Sequence, residues 1–163
     1  MEASKQILQW EAMGHAPLQP NELHGRVRMA YFQFKGNRDA AALVLAEDDE
    51  VRLCQLPAHA RLIGGTLKYG AFGASVVLDI GLRGLDDSGT ITVASVADGG
   101  TADDPDAIAT NLNISAAGTH SLFEESAYLF YETEKEVELY CTFQAANPSD
   151  SAELSGTVLY VLD

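Results

Sequence analysis

Side chains that commonly do acid–base or metal chemistry are scattered along this sequence. The chain has four histidines, and none stands in an HxH or HExxH pattern or beside a cysteine, the arrangements that hold zinc. No GxSxG motif marks a serine nucleophile. We therefore expect no zinc centre and no catalytic triad, and we interpret as structural or exposed the residues His15, His24, His59 and His120.

Carboxylates are the second candidate for chemistry. Residues 48–50 and 103–106 are acidic clusters, but neither has the ligand spacing and glycine of an EF-hand calcium loop. We interpret Glu136 and Glu138 as a solvated strand face, while a carboxylate pair for glycoside cleavage stays open because sequence does not reveal distances in space. We predict no enzymatic activity, no cofactor and no bound metal. The alternative, a small hydrolase, needs convergent Asp, Glu or His in a cleft.

Charge and composition exclude several classes of partner. The formal net charge of −14 makes the chain repel nucleic acid and anionic membranes, while it attracts basic partners. Cys54 and Cys141 show no CxxC spacing, so we predict buried free thiols. No apolar run approaches the roughly 18 residues of a membrane-spanning helix, and the N-terminus lacks the features of a signal peptide. We expect a protein made and folded in a cytoplasm, bound to neither membrane nor nucleic acid.

Short segments with period-two alternation follow Gly25 and predict an all-β domain over residues 25–163. Asp/Gly-type turns separate the segments, and this pattern favours a β-sandwich or jelly roll. The first predicted strand alternates Val27, Met29 and Tyr31 with polar residues and alanine, which predicts one buried face. The further predicted strands cover residues 41–46, 51–56, 61–69, 75–82, 90–96, 121–131, 136–144 and 154–162.

Two of these strands have especially clear patterns. In residues 136–144 the inward set is predicted to be Val137, Leu139, Cys141 and Phe143, and in residues 75–82 it is Val76, Leu78, Ile80 and Leu82. The last strand is apolar on both sides, which predicts either a central strand or cover by a neighbouring subunit. Leu159 and Val161 on one of its sides are therefore hypothetical interface residues.

Punctuation residues predict the remaining features. Leu56-Pro57 should end one strand, and Gly64-Gly65 should mark a bulge or bend in the next. The stretch DDPDAIATNLN, residues 103–113, is the single predicted short helix, because aspartate can cap it, proline suits its first turn, and Ile108 and Leu112 lie four residues apart.

The first 24 residues form a predicted N-terminal arm. They lack strand alternation and contain two prolines, yet they carry scattered apolar side chains. We hypothesise that this arm orders on a partner assembly or on a neighbouring subunit, with Trp10 as its main anchor; folding back on its own domain is the alternative. The hypothetical interface residues of the arm are Ile7, Leu8, Trp10 and Met13.

Three stretches carry a resemblance to a known group: LPAHARLIGGTLKYGAFGASVVLDIGLRG, DAIATNLNISAAGT and the C-terminal SGTVLYVLD. Together they resemble tailed-bacteriophage virion proteins that decorate or cement the head, over roughly residues 26–163. The resemblance implies a jelly-roll subunit, often a homotrimer, bound to the major capsid protein outside the capsid and made in the host cytoplasm. It transfers no catalytic residues, and it makes the capsid the assembly on which the arm is expected to order.

A carbohydrate- or receptor-binding β-sandwich of a virion spike or fibre is the alternative function. Such a protein should display clustered exposed aromatic side chains. Trp10, Tyr128, Phe130 and Tyr131 are the residues available for this role, and they fit a core equally well.

Overall fold

The computed structural model describes residues 26–35, 45–85, 104–124, 126, 128–149 and 152–162. Within these ranges every regular element is a β-strand, and no helix is long and apolar enough to cross a membrane. The strands are β1 (Arg26–Lys35), β2 (Glu50–Leu56), β3 (Ala60–Tyr69), β4 (Val77–Gly84), β5 (Asp104–Asn113), β6 (Gly118–Leu122), β7 (Val137–Gln144) and β8 (Glu153–Leu162).

The strands form two four-stranded antiparallel sheets. The first sheet has the order β1-β8-β3-β6 and the second has the order β2-β7-β4-β5. Apart from the β4–β5 pair, each strand is followed in the chain by a strand of the other sheet. This order is that of a jelly roll, in which two Greek keys wrap around one core. The prediction of an all-β, jelly-roll-like fold is therefore confirmed.

The core lies between the two sheets and follows the period-two pattern. Both predicted inward sets are buried as expected, one on β7 and the other on β4 and the residue before it. As predicted, β2 ends at Leu56, and β3 changes register against β8 between Leu62 and Gly64. The largest fully buried side chains are Tyr140, Phe72, Phe123, Phe143, Leu56, Leu62, Leu67, Leu78, Ile80, Leu82, Ile114 and Leu122.

The predicted short helix is wrong, because its residues form β5. This strand pairs with β4 through two register shifts, so it contains extra residues that β4 lacks. Ile80 and Leu78 lie two positions apart on β4, but their partners on β5, Ala109 and Leu112, lie three positions apart. Asn111, with φ of 52°, lies at this irregularity. The apolar spacing of four between Ile108 and Leu112 therefore did not distinguish a helix from this irregular strand.

The orientation predicted for the first strand is also wrong. Ala30, Phe32 and Phe34 pack toward the core, whereas the other parity points away from it. Val27, Met29 and Tyr31, expected inside, are 62%, 63% and 61% exposed. Both parities contain large apolar residues, so alternation alone did not determine which side is buried.

The predicted strand at residues 121–131 is correct only at its start, because β6 ends at Leu122. Phe123 has φ of 71° and a fully buried side chain, and the chain turns there. The chain then runs beside the start of β3, where the amide of Phe130 donates to the Leu62 carbonyl over 2.7 Å. The predicted strand at residues 90–96 and most of that at residues 41–46 lie outside the described residues, as does the arm, residues 1–24.

Candidate functional site

The most unusual surface among the described residues is the outer face of the first sheet, the side that points away from the second sheet. In the register of β1 and β8, Val27 lies opposite Val161 and Met29 lies opposite Leu159. With Tyr31, these residues form a continuous strip that we call the apolar stripe. Its β1 side chains are more than half exposed, while Leu159 and Val161 are half-buried because β8 has a neighbouring strand on each side. The exposed apolar side chains make this face the candidate interaction surface.

The surroundings of the apolar stripe are polar and carry little negative charge. Lys35 Nζ lies 2.6 Å from Glu153 Oε1, and Arg61 Nη2 lies 3.3 Å from Glu132 Oε2. Lys68 is exposed on the same face of β3. Among the outward-facing residues of β1, β8, β3 and β6 there is one carboxylate, that of Glu153, and Lys35 neutralises it. This distribution contrasts with the net charge of −14 for the whole chain.

By comparison, the outward-facing side chains on the central strands of the second sheet are mostly inaccessible to solvent. Glu138 and Arg83 point outward from neighbouring strands but are nearly inaccessible, and the Arg83 guanidinium carbon lies 4.2 Å from the ring centroid of Tyr140, which is also buried. Glu138 accepts a hydrogen bond from Arg83 Nε at 2.9 Å and lies 3.5 Å from Arg52 Nε. The interpretation of Glu138 as part of a solvated face is wrong, whereas Glu136 is exposed.

The electrostatics of this ion pair are those of a structural contact. Burial by itself lowers the pKa of Arg83, but hydrogen bonds to Glu50 and Glu138 outweigh this effect and raise the pKa overall. Arg83 Nη1 donates to Glu50 Oε2 over 2.7 Å. The guanidinium thus remains charged between two carboxylates, and both oxygens of Glu138 face arginines.

The two cysteines are free. Cys141 points inward as predicted, and burial raises the pKa of its thiol from 9.0 to about 12. Cys54 is half-buried, and its pKa is also raised to about 12, first by burial and second by the charge of Glu138. At neutral pH both thiols are therefore protonated, which makes them poor nucleophiles and poor metal ligands.

A polar groove lies between the edge strands β5 and β6. Its volume is about 520 Å³, and its ionisable lining residues are Asp106, His120 and Glu124. Among the described residues, no group of three or more His, Cys, Asp or Glu side chains has a geometry that could hold a metal ion. His59 is exposed and lies 3.6 Å from Glu132, while His15 and His24 lie outside the described residues.

Of the three described aromatic residues expected for glycan binding, Phe130 is exposed, whereas Tyr128 and Tyr131 are half-buried. Tyr128 and Tyr131 pack edge to face with ring centroids 5.1 Å apart, and Tyr128 also packs against the core. Phe130 is 66% exposed. Trp10 lies outside the described residues.

Two of the six hypothetical interface residues lie within the described part of the chain. Ile7, Leu8, Trp10 and Met13 lie outside the described residues. Leu159 and Val161 do lie together, and the structure adds three partners on β1 that sequence reasoning placed in the core. The sequence did contain a signal for this surface. In residues 27–34 both alternating sets include large apolar side chains, which is the two-sided pattern already noted in the last strand.

Comparison with known proteins finds similarity of fold alone. No family model matches the sequence, and no curated protein matches it significantly. The fold is similar to chains in three solved phage capsids, all less than 25% identical. A chain in the capsid of Ralstonia phage GP4 has 14% identity and a TM-score of 0.59, with 90% of each chain covered. A chain in the cyanophage Pam1 capsid has 18% identity and a TM-score of 0.58, with 91% of each covered.

The third similar structure is the capsid of Helicobacter pylori bacteriophage KHP30. Its matching chain has 13% identity and a TM-score of 0.52, and the alignment covers 86% of this chain and 92% of that one. In all three cases the similarity therefore extends over nearly the whole of both chains, rather than over one domain of a larger protein.

Proposed function

We propose that this protein is a structural component of a tailed-bacteriophage virion, a decoration or cement protein on the outer surface of the head. Its partner is the major capsid protein, and it stabilises the joints between major capsid subunits as a homo-oligomer, a trimer. The role requires assembly and no catalysis.

The observation that carries the proposal is a jelly roll similar over about nine tenths of its length to chains of phage capsids. Fold similarity alone does not specify function, but the surface supports the same role. The described residues place their most exposed large apolar side chains mainly on one sheet face, as assembly proteins do.

Charge supports the exterior location. A chain with a net charge of −14 is repelled by packaged DNA, and a protein outside the shell avoids that repulsion. Cementing itself needs only extra buried area across subunit joints, at about 25 cal/mol per Å² of apolar surface before the costs of association. Symmetry repeats the contribution at every equivalent joint.

Sedimentation with phage heads tests this function. Purified protein is mixed with heads of the phage that encodes it, after removal of the endogenous copies, and the mixture is sedimented through sucrose. We expect saturable co-sedimentation with a fixed ratio to the major capsid protein, and heads that resist higher temperature before releasing DNA. Intact DNA-filled heads and emptied heads should bind equally, since the proposed site lies outside.

Two results would contradict the proposal. One is the absence of binding to heads at concentrations where the protein is folded by circular dichroism. The other is binding that occurs only after heads are opened, which would indicate an internal site. Binding to tails or to purified host-surface glycans, without binding to heads, would instead support the spike or fibre alternative.

A further inference from the structure

The apolar stripe and the face around it raise the question of what covers them. We infer that the outer face of the first sheet is the surface through which copies of this chain bind one another. This inference deepens the proposed assembly role and rests on it, because it names the partner at one surface: a second copy, rather than the major capsid protein.

The size of the face limits how a second copy can cover it. Three ten-residue strands about 33 Å long and one five-residue strand about 17 Å long, spaced about 4.8 Å apart, give a face of roughly 550 Å². A standard protein–protein interface buries about 800 Å² per partner. A contact of standard size therefore needs the whole of this face and some of its rim, with the apolar stripe inside it, because apolar groups dominate the centres of homo-oligomer interfaces.

Charge favours a second copy at this face over other parts of the surface. Two chains that each carry −14 repel each other, so they associate best where negative charge is least. On the first sheet Glu153 is paired with Lys35 and Arg61 with Glu132, and Lys68 adds a positive charge. The balance of charge on this face is therefore slightly positive, whereas on the outer face of the second sheet Asp79 adds a negative charge to the ion pairs of Arg83 and Arg52.

The geometry of β1 also favours an external partner. Met29 and Tyr31 stand on an edge strand, and their backbone direction is fixed because Ala30, Phe32 and Phe34 hold the other parity in the core. The exposed set cannot turn inward without a one-residue slip that would expose both phenylalanines. Cover by another polypeptide is the arrangement that removes these side chains from water.

Sedimentation velocity and light scattering on the purified full chain, without heads, test the inference. We expect the wild type to be an oligomer at micromolar concentration and Met29→Asp to sediment as the 17.5 kDa chain. Placing a charge in the centre of an interface should raise the dissociation constant at least about 30-fold, the equivalent of a hot-spot loss of 2 kcal/mol. The matched control is Thr110→Asp, the same charge change at an exposed position of β5, which should leave the oligomer intact.

A second variant guards against misfolding of the first. Tyr31→Ser removes the aromatic surface without adding charge, and the circular dichroism melting curves of both variants should overlay that of the wild type at dilutions where all are monomeric. A monomeric wild type would overturn the inference. Cover of the face by residues 1–24 of the same chain would give that result. An oligomer that survives both Met29→Asp and Tyr31→Ser would overturn it as well.

The assay is independent of the proposed function. Because no heads are present, either overturning result would remove this contact between copies while sedimentation with heads still tests decoration. Failure of head binding by a chain whose oligomer depends on Met29 would remove the decoration role and leave the contact between copies.

Discussion

Glu138 shows how one residue on a strand can be polar and still belong to the interior. Its side chain is 2% exposed and lies between Arg83 and Arg52, whereas Glu50, the other carboxylate bound to Arg83, is 46% exposed. Glu138→Gln removes the charge at nearly constant volume and leaves Arg83 buried with one exposed partner. We expect a loss of about 3 kcal/mol in the free energy of unfolding, measured by urea denaturation.

Glu50→Gln is the matched control for this ion pair. It removes the same charge from the same arginine, but at a position where water screens the interaction, so the expected loss is about 1 kcal/mol or less. Equal losses in the two variants would show that burial does not control the strength of the pair.

The raised pKa of Cys141 predicts a loss of stability at alkaline pH. Its pKa is about 12 in the folded protein against an ordinary value of 9.0, so below pH 9 both folded and unfolded chains keep the proton. Above pH 9 the unfolded chain releases it first, and the free energy of unfolding should fall by up to about 1.4 kcal/mol per pH unit from this thiol.

Urea unfolding at a series of pH values from about 8 to about 10.5 measures this slope. Cys141→Ala should be less stable at pH 8, because it leaves a small cavity, but its curve should be flatter above pH 9. Parallel curves for wild type and variant would show that the thiol does not contribute to the slope.

At the scale of the element, β8 is the strand on which the first sheet depends. It lies between β1 and β3, and a Cβ on its Gly156 would collide with the Phe32 ring and with the Thr66 carbonyl oxygen. Gly156→Ala should therefore destabilise the protein by about 2 kcal/mol through overpacking. Thermal unfolding of Gly156→Ala beside Ser155→Ala measures this.

Ser155 provides the comparison because it is the preceding residue and points outward in the register with β1 and β3. Its replacement should change the free energy of unfolding by less than about 0.5 kcal/mol. A tolerated Gly156→Ala would mean that β1 can move away from β8 at little cost.

β5 shows where local patterns stop being informative about an element. Proline near the start and apolar residues four positions apart are helix signals, and the same residues serve a strand that contains bulges. The bulges arise from pairing with β4, a partner distant in sequence. Only the pairing distinguishes the two structures.

At the scale of the whole molecule, the domain boundary at residue 25 stays a prediction. Deleting residues 1–24 should leave the melting temperature close to that of the full chain, because the eight strands already enclose one core. The same deletion should weaken or abolish co-sedimentation with phage heads, and Trp10→Ala in the full chain should reproduce part of that loss.

Calorimetry and head sedimentation on the same preparations separate the two effects. A melting temperature lowered by many degrees would show that residues 1–24 belong to the domain, and unchanged head binding by the shortened chain would place the attachment elsewhere.

The amino-acid sequence by itself determined the class of the fold and much of its core. Period-two alternation located β2, β3, β4, β7 and β8, and it assigned Cys141 and Ile80 to the interior, because an alternating apolar set has one stable position on a sheet that covers a core. Proline after Leu56 and the glycines at 64 and 65 also had their predicted effects, since both act through the local backbone.

The tertiary structure decided what depends on partners distant in sequence. It showed which parity of β1 faces the core, because both parities are apolar and the choice follows from packing against the second sheet. It also showed that Glu138 is buried. The sequence did not reveal this, because the arginine that neutralises Glu138 is 55 positions away along the chain. The apolar stripe combines β1 with β8, from opposite ends of the described chain, and that combination exists only in the folded sheet.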